Sequence, residues 1–158
     1  MKNLFFVILL FLPFVVLCQV DGYNIANYQE QGIKAPNTHY IGEAWLNSLV
    51  RANDEIAYNI TKATFLANST LDWHKHATAQ VLIVVEGKGY YQEKGKEPII
   101  MKAGDVITCD KEIEHWHASS KISDVTYLAI YGGEQPTVWT TVLSQAYYDC
   151  VAEQLEGE

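Results

Sequence analysis

The sequence predicts an all-β domain with one short C-terminal helix. Three observations carry this. Apolar or alternating runs recur from Ala44 to Tyr131. Turn-forming groups separate them, namely Asn53-Asp54, Asn68-Ser69, Gly87-Lys88-Gly89, Lys94-Gly95-Lys96 and Ala103-Gly104-Asp105. Only Leu143–Leu155 has a helical texture. Strands this short and closely spaced belong to a barrel or a sandwich.

The elements follow in chain order. Met1-Lys2-Asn3 precedes Leu4–Cys18, a run that is apolar except for Pro13. It is too short for a bilayer span of roughly 20 residues. Residues 1–18 therefore read as a secretory signal peptide cleaved after Cys18, and the mature protein is expected to be secreted or periplasmic. A lipidated Cys18 is the weaker alternative, because Leu17 is bulky where such signals want a small residue. Residues 19–39 are polar, with Gly22, Gly32 and Pro36, and read as an N-terminal arm. Residues 40–142 form the barrel. Its strands are expected at Ala44–Val50, Ile56–Leu66, Ala79–Glu86, Gly89–Glu93, Ile99–Lys102, Asp105–Cys109 and Val125–Tyr131. Residues 143–158 form a C-terminal helix and tail, expected over the barrel's open end.

The 158-residue chain has a formal charge of −8. Losing residues 1–18, and Lys2 with them, leaves 140 residues at −9. That size suits one domain. The acidic balance argues against nucleic acid as a partner, and no second apolar run is long enough to span a membrane. It disfavours an acidic substrate unless a local positive charge, such as a metal ion, overrides it. Export permits a disulfide, but Cys109 and Cys150 alone do not show one. Asn59-Ile60-Thr61 and Asn68-Ser69-Thr70 match the glycan acceptor pattern, which matters only on a eukaryotic secretory route.

Four of the five histidines form two pairs, in Trp73-His74-Lys75-His76 and in Glu114-His115-Trp116-His117. Alternate residues of a strand share a face. His74 and His76 therefore point together, Gln80 keeps their parity, and His115 and His117 point together. A sheet curled into a small barrel brings both pairs inward. Such a cluster suits Mn, Fe, Co, Ni, Cu or Zn. Trp73 and Trp116 have the opposite parity and are expected between sheets or at a subunit contact. One of Tyr90 and Tyr91 must face outward. His39 is expected to be unrelated to the site, and Lys88, Lys94 and Lys96 to form a solvated hairpin tip.

Over Trp45–Tyr131 the chain resembles the cupin superfamily. His74, His76, Gln80 and Gly87 match its first motif. Gly104 and His115 match the second, where Asp110 and Glu112 stand in place of the usual Pro and Gly. The resemblance implies a double-stranded β-helix, the cupin jelly-roll barrel, with the metal inside. The stretches WHKHATAQVLIVVEGKGYYQEKGK and AGDVITCDKEIEHWH are similar to small single-domain cupins that include manganese-dependent hydroxynitrile lyases. By that match the metal ligands are His74, His76, Gln80 and His115, and His117 is a candidate base beside the metal. The ion is Mn first, with Fe, Zn, Ni or Co as alternatives. Those lyases carry a His and a Gln where this chain has Tyr127 and Tyr131. The match therefore implies the metal site more directly than cyanohydrin chemistry. It also implies a homodimer, with the arm from Gln19 to His39 long enough to cross a partner.

Three imidazoles and one amide leave a divalent ion its full charge, which favours Lewis-acid over redox chemistry. That suits proton abstraction beside a carboxylate, with His117 as base and Tyr127 donating a proton to the leaving group. Export points to extracellular organics, and a uronic-acid-containing oligosaccharide has the required C–H and leaving oxygen. A dehydratase-like lyase is the expectation. The alternatives are a hydroxynitrile or other carbon–carbon lyase, a phenolic or flavonol dioxygenase, and a sugar-binding cupin without turnover.

Overall fold

The computed structural model describes residues 22–133 and 136–157. The signal-peptide expectation lies outside the described residues. The strands are β1 Ile33–Lys34, β2 Tyr40–Ile41, β3 Ala44–Val50, β4 Tyr58–Phe65, β5 Thr70–Leu71 and β6 Trp73–Lys75. They continue with β7 Gln80–Glu93, β8 Ile99–Lys102, β9 Val106–Cys109, β10 His115–Ser119, β11 Val125–Gly132 and β12 Val138–Thr141. Helix α1 spans Gln145–Glu156. The fold is a curled, all-antiparallel sheet with one short helix, which is the class the sequence predicts. Among the described residues, no helix is long and apolar enough to cross a membrane.

β7 organises the curl. Its first half pairs with β11 and β9, and its second half with β10 and β8. The sequence suggests two strands joined by a turn at Gly87-Lys88-Gly89. Those residues instead lie within one strand of 14 residues. The reason is close backbone approach. A Cβ on Gly87 would sit 1.9 Å from the Asp124 carbonyl oxygen, and one on Gly89 would sit 2.0 Å from that of Ala118. Gly87 also has φ +75°, which glycine adopts without strain. The bend lets one strand leave the first half-sheet and enter the second. Phe65, Leu82, Val84, Met101 and Val125 fill the core between them.

Helix α1 packs on the outer face of the β7–β10 sheet rather than over the barrel's end. Its N-terminus is capped by Ser144, whose side chain accepts from the Tyr147 amide, satisfying an otherwise unpaired donor. Tyr148, Val151 and Ala152 are buried. Tyr148 Oη donates to the Ser119 carbonyl at 2.9 Å, and Tyr90 Oη donates to Glu156 at 2.6 Å. Lys88 pairs with Glu156, so it is a helix anchor rather than part of a solvated tip. Trp116 is fully buried beside Tyr147, and both donate to Gln92 Oε1 at 2.8 Å. The outward parity of Trp116 is thus satisfied by the chain's own helix, not by a second subunit. Tyr90 is the outward member of its pair, also covered by the helix. Cys109 and Cys150 are free. Cys109 is buried and Cys150 is exposed on α1.

Candidate metal centre

β10 delivers His115 and His117 to the concave side, as their parity requires. β6 delivers His74, and His76 follows just beyond its end. Gln80 reaches the same place by a different route from unbroken strand parity. The chain bends at Ala77-Thr78, and Gln80 opens β7. β11 contributes Tyr127 and Tyr131. His74, His76, Gln80, His117, Tyr127 and Tyr131 line one pocket, of about 480 Å³ with its mouth, and His115 packs beside His74 with ring centroids 4.2 Å apart.

The ring nitrogens are sorted by their backbone partners. His74 Nδ1 lies 3.0 Å from the Asp72 carbonyl oxygen, and His115 Nδ1 lies 3.0 Å from that of Ile113. A carbonyl only accepts, so each Nδ1 carries the proton and each Nε2 is a bare lone pair. Burial, reinforced by neighbouring imidazoles, drives His74 and His117 well below the ordinary histidine value and His76 down to about 4. Burial also lowers His115. All four rings are therefore neutral near pH 7.

This assignment turns two lone pairs toward each other, a contact that a bound cation would relieve. His115 Nε2 lies 2.9 Å from Gln80 Oε1. With the His115 proton held at Nδ1, two lone pairs face each other. That arrangement is repulsive alone and natural for two donors to one positive ion. Gln80 Nε2 donates to His76 Nε2 at 3.1 Å, so that nitrogen is unprotonated too. One donor atom from each of His74, His115 and His117 lies within 4.8 Å of the others. His117 Nε2 is buried with no hydrogen-bond partner, while its Nδ1 lies 2.7 Å from Tyr127 Oη. The donor set fits a divalent ion with imidazole ligands. Among the described residues, no carboxylate lines the pocket.

Residues 62–131 match the family model for the cupin domain. That match and the curled antiparallel sheet give the chain a cupin-like fold. A solved structure of a cupin-like protein from Thermotoga maritima is similar over 84% of this chain and 99% of its own, with TM-score 0.76 and 27% identity. A predicted oxalate decarboxylase from the same organism is similar over 73% and 99%, with TM-score 0.60 and 20% identity. The DMSP lyase DddQ from Ruegeria pomeroyi is similar over 53% and 43%, with TM-score 0.50 and 16% identity. No curated protein matches the chain by sequence.

The pocket also draws on residues that sequence reasoning passed over. Trp139 on β12 lines it, with its ring centroid 5.2 Å from that of His74. His39, expected to be unrelated to the site, stacks on Trp139 at 4.3 Å and contacts Asp72 Oδ2 at 3.1 Å. Asp72 is the same residue whose carbonyl orients His74, and its Oδ1 accepts from the Leu143 amide. His39 thus braces the wall behind the His74 ring. Tyr40 and Phe65 complete the apolar side. Burial, reinforced by Tyr131, raises Tyr40 to about 12, and burial holds the Tyr127 phenol protonated as well.

Proposed function

We propose that this protein is a cupin and an exported, divalent-metal-dependent lyase that eliminates water or an alcohol from a hydroxylated acid, above all a uronic-acid-containing oligosaccharide. The supporting observation is the buried His117–Tyr127 pair beside a donor set that, among the described residues, includes no carboxylate. His74, His76, Gln80 and His115 would hold the ion, Mn²⁺ in first place, with His76 Nε2 exchanging its contact with the Gln80 amide for the ion. When bound, it supplies a site for a substrate oxygen and stabilises negative charge developing there.

The chain's own residues supply the proton path. In the tautomer with the proton on Nδ1, which Tyr127 Oη can accept, His117 offers Nε2 as the base. His117 Nε2 takes the proton from the carbon beside the carboxylate. The released electron pair forms the carbon–carbon double bond, and the bond to the β-oxygen breaks. Tyr127 gives its proton to the departing oxygen and recovers one from His117 Nδ1. Phe65, Tyr40 and Trp139 exclude bulk water from these steps. A DMSP lyase among proteins of this fold supports a lyase as within its reach.

Purified protein incubated with Mn²⁺ and uronate oligosaccharides should give a conjugated double bond seen in the ultraviolet, with no oxygen uptake. Oxygen consumption without that product contradicts the proposal. A second reading rests on the mutual approach of His74, His115 and His117. In it, His117 is itself a ligand and Tyr127 only orients it. We also propose a homodimer in solution, to be checked by light scattering.

A further inference from the structure

Arg51 is the chain's single arginine. It is exposed, directly after β3, and among the described residues it makes no ion pair. Most lysines differ: Lys34, Lys75, Lys88, Lys94, Lys96 and Lys121 all meet a carboxylate. Arg51 lines a groove together with Ser48 and Asn59. The groove shares a wall with the metal pocket, made of Leu46, Thr61 and Tyr131. Thr61 and Tyr131 are tied by a hydroxyl–hydroxyl contact of 3.3 Å, and Tyr131 stacks on His76. A chain leaving the pocket over Tyr131 therefore meets Arg51 next.

The pocket continues into the groove at Leu46, Thr61 and Tyr131, so units of an oligosaccharide beyond the reacting one would extend along it. A guanidinium matches a carboxylate in a bidentate fork. In a chain of charge −8, Arg51 is the one cationic side chain among the residues lining this groove and is placed to meet an anionic ligand. Ser48 and Asn59 add polar groups suited to sugar hydroxyls.

We propose that Arg51 binds a second carboxylate of the substrate, so that the groove selects acidic chains of two or more units over the free sugar acid. This rests on the uronate proposal and specifies the part of the substrate outside the pocket.

The test is calorimetric binding of digalacturonate and galacturonate to Mn²⁺-loaded protein, alongside elimination kinetics. Wild type should bind digalacturonate roughly tenfold more tightly than galacturonate, the scale of one charge-assisted contact. Arg51→Gln should abolish the difference without changing the melting temperature, because the side chain is exposed. Arg51→Lys should recover part of it. In kinetics, Arg51→Gln should raise KM for digalacturonate and leave kcat unchanged. Equal affinity of Arg51→Gln and wild type for digalacturonate overturns the subsite, as does no binding by wild type. Arg51-dependent binding without product keeps the subsite and removes the elimination proposal. Product formation with unchanged KM in Arg51→Gln does the reverse.

Discussion

Tyr127 Oη lies 2.7 Å from His117 Nδ1, and the opposite nitrogen of that ring has no partner. One side of the imidazole is therefore fixed and the other is open to whatever enters the pocket. That polarity distinguishes His117 from His74 and His115, whose Nδ1 atoms are fixed by backbone carbonyls. A phenol can return a proton, and a carbonyl cannot.

Tyr127→Phe tests this pairing. The change keeps the ring and leaves His117 Nδ1 unpartnered in a buried site. Stability should fall by about 1–3 kcal/mol, and kcat should fall by about 10²–10⁴ with metal content retained. An unchanged kcat would remove Tyr127 from the proton path.

Gln80→Glu places a carboxylate 2.9 Å from His115 Nε2, where the amide oxygen now sits. The added negative charge should raise affinity for Mn²⁺ by about tenfold or more and slow elimination, because the bound ion becomes a weaker Lewis acid. Titration of metal-free protein measures the first effect. Unchanged affinity would mean that Gln80 does not face the ion.

The metal-free protein should be sensitive to acid. The buried imidazoles bind protons more weakly in the folded chain than in the unfolded one. Stability is therefore complete above the ordinary histidine value of about 6.5 and declines as the pH falls below it. The decline continues to about 4, where His76 protonates in the folded state. Depression of His76 alone corresponds to on the order of 3 kcal/mol. Melting temperatures from pH 8 to pH 4 in chelator should show this fall, and a flat profile would contradict it.

Two glycines with similar backbone angles should respond differently to alanine. Gly87 and Gly95 have φ +75° and +82°. A Cβ at Gly87 meets the Asp124 carbonyl, whereas at Gly95 nothing lies within 4 Å. Gly95→Ala should cost about 1 kcal/mol from strain alone. Gly87→Ala should cost well over 2 kcal/mol, because two backbones must separate. Urea unfolding of the pair provides the comparison, and equal costs would show that close approach at Gly87 is unimportant.

Much of this arrangement was legible in the residues. Parity placed His115 and His117 on one face, and the short spacing of turn residues placed the chain among β folds. The bend at Gly87 was not legible as a bend. A Gly-Lys-Gly triplet has the composition of a turn, and only Asp124 and Ala118, distant in sequence, make it a strand crossing between sheets. His39 was missed for a related reason. Its role depends on Trp139 and Asp72, 100 and 33 residues away, and no local pattern joins them. The helix was anticipated, but its docking face depended on the outward Tyr90, Gln92 and Trp116, which single-strand parity identifies only as outward.

Calorimetric titration of Mn²⁺ into metal-free wild type, His115→Ala and His117→Ala tests most directly whether His117 is a free base beside the ion. If His74, His76, Gln80 and His115 hold the metal, His117→Ala binds one ion per chain with near wild-type affinity, and His115→Ala loses at least about tenfold. Loss of Mn²⁺ binding in His117→Ala contradicts the base assignment and makes His117 a ligand.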